Sequence, residues 1–221
     1  MKRTCRYLPV LLLCSVGVVR AQGPYDVVLG FGGAQDTSNG SGIESASSNN
    51  AFAPCTPSPA DPTCLRNPSL GRFFMGFGAD AMLSKHFGFG GEFDFEPTKG
   101  DYGPLQYRQE FYDFNGIYAP INIKHFTLRV EGGIGGAHTG FSILQSQCVG
   151  IAVCSSYTSS VGASNHFQEH AGVGLQIPVT QHIFIRPQFE YRHVNNFTQQ
   201  FGRDSVPEGI IYVGYNFGSF L

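Results

Sequence analysis

Phe87-Gly88-Phe89-Gly90-Gly91-Glu92-Phe93-Asp94-Phe95-Glu96 is the stretch whose reading decides the fold. Phe87, Phe89, Gly91, Phe93 and Phe95 occupy one parity, and Gly88, Gly90, Glu92, Asp94 and Glu96 the other. A helix would scatter these aromatics around its axis. A strand sends successive side chains to opposite faces, so it separates the rings from the carboxylates. Just upstream, Phe73, Met75, Phe77, Ala79, Ala81 and Leu83 share one face while Arg72 and Asp80 fall on the other. Only Ser84-Lys85-His86 lies between the two segments, which reads as a tight turn between antiparallel strands.

The same period of two predicts eight strands: Tyr25–Gln35, Arg72–Leu83, Phe87–Glu96, Tyr107–Ala119, Phe126–His138, His166–Ile177, Ile183–Val194 and Glu208–Phe217. Each has about the ten residues that a tilted membrane-crossing strand needs. Short connections at 84–86, 120–125 and 178–182 alternate with long ones at about 36–71, 97–106, 139–165 and 195–207. Lys85-His86-Phe87, Lys124-His125-Phe126 and Gln181-His182-Ile183 repeat on the short side, each launching a strand. Short turns at one end and long loops at the other describe an up-and-down meander. The long connections, including SNGSGIESASSNN and PCTPSPADPTC in the first, are polar and Pro-rich and predict no packed core of their own.

Composition narrows the solvent. Charged residues are 14% of the 221, against about 25% in an ordinary soluble domain. Phe and Tyr number 20 and 10, Gly 29, and Trp is missing. So many aromatics argue against disorder. A formal charge of -2 without a basic stretch beyond the N-terminus argues against nucleic-acid binding. A polar face poor in Lys and rich in Gly suits a lumen better than a water-facing exterior.

Residues 1–21 read as a secretory signal peptide: Lys2, Arg3 and Arg6 precede an apolar run from Tyr7 to Val19, and Val19-Arg20-Ala21 supplies a cleavage site. Residues 22–221 form the remaining unit. Cleavage takes the formal charge from -2 to -6 and leaves four cysteines. An even number in an exported chain predicts disulfides. Three connectivities are possible; the local pairing of Cys55 with Cys64 and Cys148 with Cys154 is the simplest.

The terminal Tyr212-Val213-Gly214-Tyr215-Asn216-Phe217 resembles the C-terminal assembly signal of bacterial outer-membrane barrels, extended here by Gly218-Ser219-Phe220-Leu221. By its pattern the chain resembles the small eight-stranded outer-membrane proteins of the OmpA/OmpX-like family. The resemblance implies an all-β, antiparallel, up-and-down transmembrane β-barrel in the bacterial outer membrane. It also implies contact with outer-membrane lipid and lipopolysaccharide, a possible extracellular ligand on the loops, and a monomer. Tyr112, Phe114, Tyr118, Phe189, Tyr191, Tyr215 and Phe217 then face lipid.

Parity sends Asp26, Arg72, Asp80, Glu92, Asp94, Asp113, Arg129, Glu131, Arg186, Glu190 and Arg192 to the lumen. Charges there are costly unless paired, so a plugging network of Arg–carboxylate bonds is the expectation, with a small gated porin as the alternative. A second alternative rests on Tyr191-Arg192-His193-Val194-Asn195-Asn196. This stretch resembles the His-x-Ser-Asn motif of the lipid A deacylases called PagL, in which His is the base, Ser the nucleophile and a downstream Glu orients the His. The resemblance implies roles for His193, Asn196 and Glu208. Asn195 stands where the serine belongs, and an amide cannot accept an acyl group, so a non-enzymatic barrel is preferred. Ser205 is a substitute nucleophile without a spacing argument. His166 and His170 are too far apart along one strand, about 13 Å, to share an ion. The glycine clusters lack a strand–helix setting for nucleotide binding. No metal or cofactor is expected.

Overall fold

The computed structural model describes residues 25–36, 42–44, 54–67, 70–71, 73–103, 105–149 and 153–217. Twelve strands lie in these ranges: β1 (Tyr25–Ala34), β2 (Gly42–Glu44), β3 (Pro54–Cys55), β4 (Cys64–Arg66), β5 (Phe73–Met82), β6 (Phe87–Phe95), β7 (Gly100–Tyr102), β8 (Leu105–Ile123), β9 (Phe126–Val149), β10 (Val153–Pro178), β11 (Ile183–Val194) and β12 (Ser205–Asn216). Eight of them form the barrel, in the order β1, β5, β6, β8, β9, β10, β11 and β12, every neighbour antiparallel. β12 returns to pair with β1 from Asp26 opposite Asn216 to Ala34 opposite Glu208. Closure leaves no sheet edge, which is the condition for strands in hydrocarbon, where an unpaired N–H or C=O costs several kcal/mol.

Parity governs burial. In β11 every other residue from Phe184 to Val194 is buried and the alternate ones lie on the outer face. Tyr112, Phe114, Tyr118, Phe189, Tyr191, Tyr215 and Phe217 are all exposed, Phe114 at 75%. They belong to an outer apolar band with Val27, Leu29, Phe77, Phe89, Ile134, Val173 and Ile211. The barrel is narrow enough that large lumen residues need glycine opposite them. A Cβ on Gly30 would stand 2.4 Å from Cδ1 of Tyr212, so the Tyr212 ring takes the space that Gly30 leaves.

The turns at one end are tight: Thr180 Oγ1 accepts from the Ile183 amide at 2.9 Å, and Ser84 Oγ accepts from the Phe87 amide at 3.0 Å. At the other end three expected loops contain sheet. β9 and β10 continue past His138 and pair from Phe141 opposite Gly162 up to Val149 opposite Val153. The sequence predicts a long loop over 139–165. The neighbouring strand supplies a ladder broken only by a register shift between Ser160 and Gly162, and β-propensity yields to that context. β7 pairs with the start of β8, placing Gly100 opposite Tyr107. Within 36–71, β2 pairs with both β3 and β4, and a Cys55–Cys64 disulfide joins β3 to β4. The Thr63 hydroxyl and amide donate to Asp61 at 2.6 and 3.0 Å, which holds that carboxyl below its usual range. The last connection holds one 3-10 turn, Phe197–Gln199, entered through Asn196 at φ 60.

Residues 1–21, Arg72 and the side chains of Cys148 and Cys154 lie outside the described residues. The backbone register sets position 148 directly opposite position 154.

Candidate functional site

The lumen is filled in three layers. Nearest the tight turns, Arg129 Nη2 reaches Asp80 Oδ2 at 2.7 Å and Arg129 Nη1 lies 3.6 Å from Asp26 Oδ2. Asn216 Nδ2 donates to Asp26 Oδ1 at 2.7 Å. Arg186 donates to Asp80 at 2.8 Å and to Glu92 at 2.7 Å. Above this, Arg192 meets four carboxylates: Asp94 at 2.8 Å, Glu190 at 2.7 Å, Glu208 at 2.5 Å, and Asp113. Asp113 also accepts from Gln168 at 2.6 Å and faces His170 Nδ1 at 3.2 Å. Aromatic rings cover the cations: Arg186 Cζ lies 4.8 Å from the Tyr212 centroid and Arg192 Cζ 5.0 Å from that of Phe111.

The third layer is apolar and lies at the far end. Phe74, Phe111, Tyr102, Tyr107, Phe141, Phe197 and Phe201 pack into one cluster, each at most 1% exposed. The Tyr102 hydroxyl lies 2.7 Å from Asn67 Oδ1 and 2.6 Å from the Gln200 carbonyl oxygen, donating to one at a time. Burial pushes its phenol above the usual range.

Among the described residues, nine carboxylates are buried on the inward parity (Asp26, Asp80, Glu92, Asp94, Glu96, Asp113, Glu131, Glu190 and Glu208) against three guanidiniums, Arg129, Arg186 and Arg192. Seven of these acids and all three bases come from the parity reading. Glu208 does not: it was the acid of the hydrolase alternative. β12 turns it inward opposite Glu190, where Arg192 holds it, while His193 stands on the outer face of β11. Asn196 has left the strand for the 3-10 turn. The His193, Asn196 and Glu208 constellation is therefore not assembled, because strand parity separates the base from its acid. The signal was legible, since Glu208 shares the parity of Tyr212 and opposes that of Tyr215. His170 was set aside on same-strand spacing, and its partner Asp113 comes from β8, two strands away, which spacing along one strand cannot display.

On the outer face the register brings together a different set. Glu169 of β10 is directly opposite His193, and His193 is directly opposite Ser205 of β12. Glu169 is exposed, the other two half-buried. Further out, β8, β9 and β10 share a groove of about 300 Å³ with Lys99, Arg108, Glu110 and His138 in its wall. Lys99 donates to Ser142 Oγ at 2.9 Å, and His138 Nδ1 lies 2.7 Å from Asn165 Oδ1.

Solved structures with this architecture include the attachment invasion locus protein Ail of Yersinia pestis in complex with sucrose octasulfate. It is 13% identical with a TM-score of 0.52, covering 89% of this chain and 99% of Ail. Neisserial surface protein A is 11% identical with a TM-score of 0.51, covering 88% of this chain and 98% of that protein. The chain has the fold of the small eight-stranded outer-membrane β-barrels. No protein family's sequence pattern matches it, and no curated protein matches it. The likeness extends to the fold.

Proposed function

We propose that the protein is an outer-membrane barrel that works by surface contact and does not conduct. The observation that carries this is the closed lumen combined with strands that outrun the lipid band. From Thr139 to Val149, β9 runs about 35 Å further than the part of the strand that carries Val130 and Ile134 of the apolar band, with Leu144 exposed along the way. Lipid faces the apolar band, and the stapled β2–β4 sheet and the β9–β10 hairpin face the medium. The Lys99 and Arg108 groove suits an anionic group at the membrane surface, such as a lipopolysaccharide phosphate; Ail was solved with a heparin analogue, itself an anion. Cys148 and Cys154, opposite each other in register, are proposed as a second staple.

The test is fractionation with the outer membrane and a mobility shift on unheated SDS gels, followed by planar-bilayer recording. A steady open conductance would refute the plug. A soluble, unshifted chain would refute the location.

The Glu169–His193–Ser205 row supports a second reading, a hydrolase acting on acyl chains of outer-leaflet lipid, with Ser205 in place of the missing nucleophile. Carboxylate, imidazole and hydroxyl follow one another across three adjacent strands on a lipid-facing surface, where an ionisable side chain points to function. Mass spectrometry of lipid A from expressing cells decides it. Loss of an acyl chain that disappears in both His193→Ala and Ser205→Ala establishes the enzyme, and unchanged lipid A excludes it.

A further inference from the structure

We propose that Glu92, Glu131 and Glu190 hold a hard divalent cation, calcium by preference, at mid-height in the lumen. Oxygens of the three carboxylates lie within 4.8 Å of one another. Calcium binds oxygens at about 2.3–2.6 Å, so two ligands on opposite sides of one ion are separated by up to about 5 Å and a single ion reaches all three. The donors are all oxygen, which favours calcium or magnesium over zinc or copper. The irregular trio suits calcium's flexible coordination better than magnesium's strict octahedron.

Four observations point to a ligand. Both carboxylate oxygens of Glu131 lack a hydrogen-bond partner among the described residues, although the residue is 3% exposed. Gln188 adjoins the trio, its Nε2 donating to Glu190 at 2.5 Å and to Glu92 at 3.1 Å, and its buried Oε1 is also without a partner. A buried anion left this way costs several kcal/mol, so such a group calls for a counter-charge. Next, Gly172 is opposite both Glu131 and Glu190 in the register. A Cβ there would stand 2.9 Å from Cγ of Glu190 and 3.2 Å from Cγ of Glu131, so glycine keeps open the space between the carboxylates. Finally, the neighbouring guanidiniums are shared among several acids, and among the described residues none of them donates a hydrogen bond to Glu131. Arg186 bridges Asp80 and Glu92, and Arg192 serves four acids, while among the described residues the lumen has six more carboxylates than guanidiniums.

At the tight-turn end a cavity of about 130 Å³ is lined by Asp26, Met82, Asn122, Thr127, Arg129, Gln176 and Asn216. The aromatic plug closes the opposite end.

The experiment strips the purified, detergent-solubilised full chain with a chelator. The chain is dialysed against calcium chloride alone at neutral pH, and bound calcium is counted by mass spectrometry against a detergent blank. Roughly one calcium per chain is expected. Glu131→Gln and Gly172→Ala, each checked for the folded gel mobility, should weaken binding at least about tenfold, the first by losing a ligand and the second by filling the space. Wild-type protein that holds no more calcium than the blank overturns the proposal and means that the carboxylates are balanced by protons. Undiminished affinity in folded Glu131→Gln overturns it as well. Should neither variant fold, wild-type stoichiometry decides.

Discussion

Replacing Arg192 with methionine tests the lumen network at its most loaded point. The guanidinium touches Asp94, Asp113, Glu190 and Glu208, and its side chain is fully buried. Methionine has similar bulk but no charge, so packing changes little and the electrostatics change completely. Removing one partner of a buried ion pair costs about 3–5 kcal/mol because the other charge is left uncompensated. Four acids lose the same cation here. Their contributions are coupled through one group and do not add, so about 5 kcal/mol is expected, with about 3 as the floor. Stability is read from urea titrations of the protein folded in lipid vesicles. Folded fraction is followed by gel mobility and tyrosine fluorescence, since the chain has 10 Tyr and no Trp. Adding Glu208→Gln to the variant removes one stranded charge and should recover about 1–2 kcal/mol. A loss below about 1 kcal/mol in Arg192→Met would refute the view that this arginine organises the lumen.

Other consequences concern the outer end. Cys55→Ser should loosen the β2–β4 sheet by about 2–3 kcal/mol, the loop-closure value for a separation of 9 residues. Protease cleavage between 42 and 66 should rise while the barrel's gel mobility stays unchanged. Tyr102→Phe removes a phenol whose ionisation is disfavoured by burial. Its stabilisation is complete below about pH 10, where the unfolded phenol is neutral, and declines as pH rises further. Wild-type stability should therefore fall more steeply above pH 10 than that of the variant, and parallel curves would contradict the burial argument. Lys99→Gln with Arg108→Gln should weaken binding to anionic vesicles at low salt. The difference should shrink as ionic strength rises, and equal binding by both proteins would remove the groove from consideration.

Much of the barrel was legible in the residues because strand parity is a local property. Once Phe87, Phe89, Phe93 and Phe95 are on one face, Glu92 and Asp94 must be on the other, and the same logic placed Arg186 and Arg192. The β9–β10 extension was not legible. Ser155, Ser156 and Ser159 have weak strand preference alone, and their ladder comes from the partner strand. Glu208 entered only through the spacing of the motif behind the hydrolase alternative, while its parity already points inward.

What the sequence determined by itself was the period of two, and with it the number of barrel strands, the outer apolar band and the residues that turn inward. Each follows from the alternation of side chains along a single strand. Only the tertiary structure decided which inward residues meet. Register across strands joins Arg192 to acids from three other strands, sets Gly172 between Glu131 and Glu190, and aligns Glu169, His193 and Ser205. Those pairings depend on closure of the whole sheet, because shifting any strand by one residue would turn all of its side chains to the other face.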